Sequence, residues 1–336
     1  MTIISAPAEN RAEGPARRNR KGALTVLFWL LLLPGLVWAV IRLGGWERGP
    51  LVQLFAFTPY VAAWSWLPAV LTLATRRWTA GGVALAVAVA LTASVLPRVL
   101  PSRDRGPADG VRLSVMTSNM LFGNADPATI VRLVRDHDVA VLAVQEFTSD
   151  GREALAKAGL GDLLPYSSLA DEPGASGSGL YSRFPLTATG DRRNGGGFRQ
   201  AYGTVQPPGA GPVIVESAHP LAPWSVRVID DWRADLVAQP KPDPKGTPRI
   251  LLGDFNATLD HSPLRDLIAA GYRDAAAATG KGLARTWPED NRFVPPVTID
   301  HVLTDQRIGV REVTVHQIPD SDHRAIIAQL TVPAAG

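Results

Sequence analysis

Two polar side chains directly follow a short apolar run in the C-terminal half of the chain. The run 250–252 ends at Gly253, and Asp254 and Asn256 come next. A run of this kind predicts a short buried strand that stops at the glycine. If the extended conformation continues, side chains two residues apart point to the same side. A carboxylate beside an amide could then hold and polarise a water molecule next to a phosphate. A strand followed by an Asx turn explains the same residues.

Other acids, amides and imidazoles stand where further predicted strands end or begin. Taken singly, Glu146 could be a solvated loop acid and His219 a loop histidine. Asp300 is harder to explain in this way, because it lies in an apolar strand. A buried lone carboxylate is costly without a partner, for which a histidine is a candidate. With Asp254 and Asn256, the residues of this kind are Asn119, Glu146, His219, Asp300, Asp322 and His323.

The elements that would position these residues alternate from residue 111 onward. Asp126-Pro127 provides a helix cap and a proline suited to the first helical position. Mixed strands and helices of this kind predict an α/β sandwich. The predicted helices are 128–136, 152–158, 225–238 and 262–270, the last capped by Ser262-Pro263. The predicted strands are 111–117, 139–144, 179–182, 200–205, 212–218, 249–252, 298–303, 310–316 and 324–330.

Six short motifs together resemble the endonuclease/exonuclease/phosphatase superfamily, the fold of DNase I, apurinic endonucleases, inositol polyphosphate phosphatases and neutral sphingomyelinases. The resemblance covers about 111–332 and implies a four-layer α/β sandwich with two central β-sheets between helices. It also implies attack of water on a phosphorus ester, dependent on Mg²⁺ with Mn²⁺ as an alternative ion. The motifs, in the order of the family, are Thr117-Ser-Asn119, Gln145-Glu146, Ser178–Pro185, Gly253-Asp-Phe-Asn256, Ile299-Asp300-His301 and Ser321-Asp-His323.

The resemblance also implies a role for each site residue. Glu146 would be the main metal ligand, with Asn119 and Asp322 as further ligands, and oxygen ligands of this kind suit Mg²⁺. Asp254 would orient or deprotonate the attacking water, and Asn256 would hold a phosphate oxygen. Two histidines would complete the site: His323, oriented by Asp300, would stabilise the charge that grows on phosphorus, and His219 would touch the phosphate.

The N-terminal part of the chain has a different character. Residues 1–21 are polar and basic, and we predict a disordered cytoplasmic tail. Residues 22–100 predict a membrane anchor with three transmembrane helices, at about 23–43, 51–74 and 79–97, since each apolar stretch is long enough to cross the roughly 30 Å hydrocarbon layer. Residues 101–110 predict a polar linker, and 111–332 the catalytic domain.

The basic residues predict the orientation of this anchor. Five of them precede the first stretch, and Arg76 and Arg77 lie between the second and third. Basic flanks face the cytoplasm, so three crossings would place everything after about residue 100 outside the cytoplasm. The anchor and the outward domain resemble those of the VanJ-type vancomycin/teicoplanin resistance proteins. That resemblance would imply action on a lipid-linked cell-wall intermediate such as undecaprenyl pyrophosphate.

Charge and composition exclude some classes of function. The chain has no cysteine, so disulfides, thiolate metal sites and cysteine nucleophiles are excluded. The net charge is +7 over residues 1–100 but −4 over 101–336. The C-terminal domain therefore lacks the basic bias of proteins that bind nucleic acid through phosphates.

Three functions remain open from the sequence. The first is a membrane-anchored hydrolase of lipid-linked phosphates, whose partners are the bilayer and the lipid substrate. The second is a surface-tethered DNase I-like endonuclease, for which Arg192, Arg193 and Arg199 offer a local basic loop. The third is a non-catalytic binding protein that retains the fold. The oligomeric state is left open.

Overall fold

The computed structural model of the protein describes residues 15–102, 106–107, 109–289 and 293–335. These residues form two compact units. The helical unit comprises the described residues up to Ile41 together with Pro59–Ala93, and the C-terminal unit comprises Arg42–Thr58 together with the residues from Ser94 onward. We call Arg42–Thr58 the bridging segment, because the chain leaves the helical unit before it and returns to that unit after it.

Two helical stretches are long and apolar enough to cross a membrane. They are Gly22–Gly44, with a mean hydropathy of 2.4, and Trp78–Val99, with 2.0, and they match the first and third predicted spans. The first helices of the chain are α1 (Pro15–Gly44), α2 (Leu51–Phe55), α3 (Thr58–Trp64), α4 (Trp66–Ala74) and α5 (Trp78–Val95), which a 3-10 turn (Leu96–Val99) extends.

The prediction of one spanning helix over 51–74 was wrong, because that stretch is divided into α2, α3 and α4. Proline has no N–H to donate, so Pro59 cannot bond to the carbonyl of Phe55, which accepts the hydroxyl of Thr58 instead (2.7 Å). In the same way Pro68 leaves the carbonyl of Trp64 without its helical donor, at the end of α3. The described residues thus contain two candidate spans, whereas the sequence predicted three.

The predicted disordered tail is tested only in part. Residues 1–14 lie outside the described residues. Residues 15–21 belong to α1, so the prediction was wrong for them. A proline is well tolerated in the first turn of a helix, and the alanines and arginines that follow Pro15 favour helix formation.

Two mixed β-sheets form the centre of the C-terminal unit. Their strands are β1 (Val111–Asn119), β2 (Val141–Gln145), β3 (Tyr166–Ala170), β4 (Ser178–Ser182), β5 (Leu186–Arg193), β6 (Arg199–Val205), β7 (Val213–Ala218), β8 (Arg249–Asp254), β9 (Tyr272–Asp274), β10 (Asp300–Asp305), β11 (Gly309–Gln317) and β12 (Arg324–Val332). The first sheet has the order β11-β12-β1-β2-β4-β3 and the second β5-β6-β7-β8-β10-β9. Among the strands of the described residues, β1 with β2 and β7 with β8 pair in parallel, and the other pairs are antiparallel.

Helices cover the outer faces of both sheets, as predicted for a four-layer sandwich. The inner faces share one core, which includes Val115, Val141 and Ile250. One outer core lies under α6, α7 and α8, and the other contains Trp232 of α9 and Leu264 of α10. The helices of this unit are α6 (Pro127–Asp136), α7 (Ser149–Lys157), α8 (Leu160–Leu163), α9 (Ile229–Val237), α10 (Ser262–Ala269) and α11 (Ala275–Ala278).

A buried ion cluster lies within the C-terminal unit, close to the points where the chain enters that unit. Asp260 is fully buried and accepts hydrogen bonds from Nε of Arg42 (2.8 Å) and Nη1 of Arg98 (2.7 Å). Although burial raises the pKa of Asp260, hydrogen bonds and attraction from Arg98 and Arg42 outweigh it and lower that pKa. Arg42 lies in the last turn of α1 and Arg98 in the 3-10 turn after α5, and both are far from Asp260 in sequence.

The bridging segment contributes to the same unit in two further ways. The carboxylate of Glu47 accepts the backbone N–H of Ser262 (2.5 Å) and thereby caps α10, a role that the sequence had assigned to Ser262-Pro263. The carbonyl of Val52 accepts Nε2–H of His261 (2.8 Å), and the side chain of Val52 is buried beside α9 and α10. Part of the predicted anchor therefore belongs to the catalytic fold.

The predicted linker 101–110 also lies against the fold where the structure describes it. The backbone N–H of Ser102 donates to the carbonyl of Ala278 (2.8 Å), and Gly282 donates to the carbonyl of Arg98 (3.0 Å). The C-terminal unit accordingly begins before residue 101. Residues 103–105 and 108 of the predicted linker are outside the described residues.

Asp260→Asn should destabilise the protein strongly, because two buried arginines would lose their counter-charge. Removal of one partner from a buried ion cluster costs about 3–5 kcal/mol. Thermal unfolding of the full chain in detergent would measure the loss. Asp138→Asn is the matched control, since the carboxylate of Asp138 is 86% exposed beside Arg183 and its loss should cost roughly 0–1 kcal/mol. Equal shifts for the two variants would contradict the structural role of Asp260.

Candidate active site

The sheet topology brings the predicted polar residues to one end of the two sheets. Asn119 ends β1 and Glu146 follows β2, its parallel neighbour; His219 follows β7 and Asp254 ends β8, a second parallel pair. The carboxyl ends of parallel strands meet at one edge of a sheet, where ligand sites form. The remaining residues stand at the starts of the antiparallel strands β10 and β12, which pair with β8 and β1. The prediction of a single constellation is therefore consistent with the fold.

His323 lies buried between two carboxylates. Its Nδ1 donates to Oδ2 of Asp300 (2.9 Å), and its Nε2 is 3.7 Å from Oδ2 of Asp254. Burial lowers the pKa of His323, but attraction to Asp300 and Asp254 outweighs that effect and raises the pKa to about 10. The imidazole is therefore charged at neutral pH, as a group that stabilises negative charge on a phosphate should be.

Asp254 is surrounded by donors and by charge. Its Oδ1 accepts the backbone N–H of Asn256 (2.8 Å), and its Oδ2 accepts Nδ2–H of Asn119 (3.1 Å). The first bond is that of an Asx turn, so the turn and the site use the same residue. Burial raises the pKa of Asp254, while attraction to His323 opposes that rise. A carboxyl with a raised pKa is a better proton acceptor for water than an ordinary one.

Glu146 and Asn119 form the opposite side of the site. Nδ2 of Asn119 donates to Oε1 of Glu146 (3.1 Å), and the backbone N–H of Phe122 donates to Oε2 (3.0 Å). Burial raises the pKa of Glu146, these two hydrogen bonds lower it, and repulsion from Asp322 raises it further. Oδ1 of Asn119 accepts the backbone N–H of Leu121 (2.9 Å), and the second lone pair of this amide oxygen remains for the predicted metal ion.

Asp322 has a buried oxygen without a hydrogen-bond partner. Its Oδ2 accepts Nε1–H of Trp287 (2.9 Å), whereas its Oδ1, 4.0 Å from Nε2 of His323, has no hydrogen-bond partner among the described residues. An orphaned buried carboxylate oxygen is costly unless a cation or another donor satisfies it. Trp287 was not among the predicted site residues, because it lies in a loop between α11 and β10 with no local pattern that indicates a function.

The donor set fits a hard divalent cation. Four carboxylates of this site surround one imidazolium, which leaves an excess of negative charge. Glu146 and Asp322 would hold the ion, since oxygen ligands are those that Mg²⁺ and Mn²⁺ prefer. One side-chain atom each from Asp254, Asp300 and His323 also lies within 4.8 Å of the others, but a protonated His323 cannot ligate a metal. A bound cation would neutralise charge on the phosphate group.

His219 and Asn256 stand beside Asp254. Nε2 of His219 is 3.9 Å from Oδ2 of Asp254, and its buried Nδ1 has no partner among the described residues. Burial, and then repulsion from His323, lower the pKa of His219 to about 3. The neutral imidazole is thus suited to donate a hydrogen bond to a phosphate. Nδ2 of Asn256 donates to the carbonyl of Pro220 (3.1 Å), which leaves one amide N–H for a ligand.

Two neighbours of the site have a structural role. His301, next to Asp300, donates from Nδ1 to Asp274 (2.8 Å) and from Nε2 to the carbonyl of Ala257 (2.9 Å), so it is a buried link between loops. The hydroxyl of Ser321 donates to the carbonyl of Asn119 (2.9 Å) and accepts the backbone N–H of His323 (3.1 Å). Ser321 thereby fixes His323 to the end of β1.

The fold and this site define a metal-dependent hydrolase of phosphoric esters. The model of the Endonuclease/Exonuclease/phosphatase family matches residues 116–323. The chain belongs to the endonuclease/exonuclease/phosphatase family, as the sequence motifs predicted. No curated protein matches the chain, and the resemblance to one resistance subgroup stays a prediction.

Solved structures share the fold at low sequence identity. An endonuclease/exonuclease/phosphatase from Beutenbergia cavernae DSM 12333 is 19% identical with a TM-score of 0.54, over 66% of this chain and 72% of that chain. A humanized D. rerio TDP2 is 14% identical with a TM-score of 0.55, over 65% and 98%. Sphingomyelinase C from Streptomyces griseocarneus is 15% identical with a TM-score of 0.50, over 65% and 99%. These likenesses concern the fold alone.

His219→Ala should lower kcat without moving the pH profile. Loss of one hydrogen-bond donor to a transition state costs roughly 100-fold. The pKa of His219 is lowered to about 3, so the ring stays neutral from pH 5 to 9, roughly the usual assay range. The titration of His219 therefore causes neither the acidic nor the alkaline fall in activity.

Asp300→Asn should lower the pKa of His323, because the imidazolium loses a neighbouring negative charge. The alkaline fall in activity should therefore begin at a lower pH than in the wild type. The pH dependence of kcat/KM with a soluble phosphodiester tests both, and an acid limb removed by His219→Ala would contradict the assignment.

Glu146→Gln should weaken divalent-cation binding more than Trp287→Phe does. The first change removes a charged ligand, whereas the second removes only the hydrogen bond that orients Asp322, for which a roughly tenfold loss is usual. Isothermal titration calorimetry with Mg²⁺ measures both. Glu312→Gln is the control, because Glu312 is exposed on the edge strand β11, opposite Gln329. Unchanged affinity in Glu146→Gln would contradict the assigned ligand set.

Proposed function

We propose that the chain is a membrane-anchored, Mg²⁺-dependent hydrolase that acts on a lipid-linked phosphate or pyrophosphate at the outer face of the cell membrane. The observation that carries this proposal is the contact of Arg42 and Arg98 with Asp260. These arginines stand at the C-terminal ends of the two apolar helices, and Asp260 follows Asp254 and Asn256 in one short loop. The two stretches of chain that leave the predicted spans are thus held, within the C-terminal unit, at the loop that follows β8.

The basic residues support the proposed orientation. Arg17, Arg18, Arg20 and Lys21 precede the first apolar helix, and Arg76 and Arg77 lie between α4 and α5. Short basic flanks remain in the cytoplasm. Both apolar helices lead into the C-terminal unit at their C-terminal ends, so the intervening chain has to return towards the basic side within residues 59–77. The C-terminal unit then lies on the opposite, extracytoplasmic side.

The charge of the C-terminal unit favours a lipid phosphate over nucleic acid. The basic loop considered from the sequence is neutralised by acids: Arg192 pairs with Glu216, and Arg193 and Arg199 pair with Glu172. A protein that tracks a nucleic-acid backbone needs unpaired cations along its groove. The tethered endonuclease is therefore the second candidate, and the fold shared with a sphingomyelinase and with TDP2 does not choose between them.

A cell-wall carrier lipid is the lipid-linked phosphate that we favour. Support comes from the sequence resemblance to VanJ-type vancomycin/teicoplanin resistance proteins, which also suggests a role in glycopeptide resistance. The convergence of all eight predicted residues on one site argues against a non-catalytic binding protein.

A substrate panel with the full chain in detergent and Mg²⁺ tests the proposal. Polyprenyl pyrophosphate, sphingomyelin, phosphoinositides and plasmid DNA should be compared under the same conditions. We expect Mg²⁺-dependent release of phosphate from polyprenyl pyrophosphate, abolished by a chelator and by Asp254→Ala or His323→Ala. Cleavage of plasmid DNA with no action on any lipid would replace the proposal by the tethered endonuclease. The full chain is required, because a fragment that starts at residue 101 lacks Arg42 and Arg98.

A further inference from the structure

The loop that follows His219 exposes large apolar side chains. We call residues 220–228 the Trp224 loop. Trp224 is 71% exposed and Val226 is 55% exposed, and the neighbouring Arg227 is exposed as well. Single exposed apolar residues are common on protein surfaces. A tryptophan and a valine that point outward from one short loop beside a catalytic histidine call for a more specific explanation.

The Trp224 loop is held between the active site and the bridging segment. At its start, the carbonyl of Pro220 accepts Nδ2–H of Asn256 (3.1 Å). The backbone N–H of Leu221 donates to Oδ2 of Asp235 (3.0 Å). In the middle of the loop, the carbonyl of Pro223 accepts Nε2–H of Gln53 (2.7 Å). The exposed tryptophan therefore follows directly after a residue that is bonded to the bridging segment.

The bridging segment carries exposed residues of the same kind. Trp46 is 63% exposed and Leu54 is 48% exposed, and Arg48 is exposed between them. Trp46 comes two residues after Gly44, where the first apolar helix ends. Tryptophan concentrates at the level of the lipid head groups, and arginine binds the anionic phosphates there. The composition and the position of this segment both fit a bilayer surface.

We infer that the Trp224 loop and the bridging segment form one bilayer-contact surface. The inference rests on the proposed function, because it needs the apolar helices to lie in the membrane. Trp224 and Val226 enter the head-group region of the outer leaflet, with Arg48 and Arg227 at the phosphates. The Trp224 loop begins at Pro220, directly after His219. Contact of this loop with the bilayer therefore holds the active site at the interface, where the phosphate of a membrane lipid lies.

A single thiol can report directly on the position of the loop. The chain contains no cysteine, so Trp224→Cys introduces the only site for a polarity-sensitive fluorophore. In vesicles of phosphatidylglycerol and phosphatidylethanolamine, the full chain labelled at position 224 should show a blue-shifted emission that spin-labelled lipids quench. Lys157→Cys is the control, because the side chain of Lys157 is 80% exposed on α7 and its label should remain in water.

A double variant separates the surface from the chemistry. Trp224→Ser with Val226→Ser should lower the hydrolysis of a bilayer-embedded polyprenyl pyrophosphate by at least roughly tenfold, because apolar area drives interfacial binding. Hydrolysis of a soluble phosphodiester should stay unchanged, since neither residue belongs to the catalytic machinery. Tyr166→Ser removes another exposed apolar side chain, on the edge strand β3, and should leave both activities unchanged.

The outcomes distinguish a failed surface from a failed function. If the label at position 224 stays in water while the wild type hydrolyses the embedded lipid, the bilayer-contact surface is wrong and the proposed function stands. An equal loss on both substrates in the double variant would also overturn the surface, because it would indicate a damaged site. If the wild type hydrolyses no lipid phosphate although the label enters the bilayer, the proposed function fails and the surface stands.

Discussion

A buried imidazolium between two carboxylates holds this active site together. His323 bonds to Asp300 and lies close to Asp254, and neither carboxylate could stay buried and charged alone without a large desolvation cost. Asp254 and Asp300 face each other across the antiparallel pair β8 and β10, whereas His323 comes from the other sheet. The contact of His323 with Asp254 and Asp300 therefore requires the two sheets to pack with these strand ends together. The fold and the site both depend on this contact.

The excess of acids explains why the site needs a cation. One imidazolium cannot balance Glu146, Asp254, Asp300 and Asp322, and one buried oxygen each of Asp300 and Asp322 lacks a hydrogen-bond donor among the described residues. A phosphate group would add more negative charge to the same place. A divalent cation at this site would offset that charge, and His219, kept neutral by burial, could approach the phosphate as a hydrogen-bond donor.

The bridging segment belongs to the C-terminal unit, although the sequence had placed it in the predicted membrane anchor. Asp260 is satisfied by arginines at the ends of both apolar helices, and α10 is capped by Glu47. Neither contact suits a passive tether with a flexible linker. Asp254 ends β8, and Asn256 and Asp260 follow it in the next loop, so the contacts of Arg42 and Arg98 with Asp260 hold the loop that leads out of the site.

The sequence by itself indicated the sandwich class, the first and third apolar helices and the eight polar residues that lie together at one end of the sheets. It could do so because apolar runs, glycines and polar strand ends are patterns within a few residues. Only the tertiary structure decided which strands pair and which distant side chains contact each other. β5 has too little apolar alternation to be predicted, because it is stabilised by its neighbour β6. Residues 51–74 are apolar enough for a membrane, but two prolines and the burial of Val52 divide them. The partners of Asp260 lie more than 150 residues away, and an ion pair of that range leaves no trace in local sequence, because it depends only on how the chain folds back on itself.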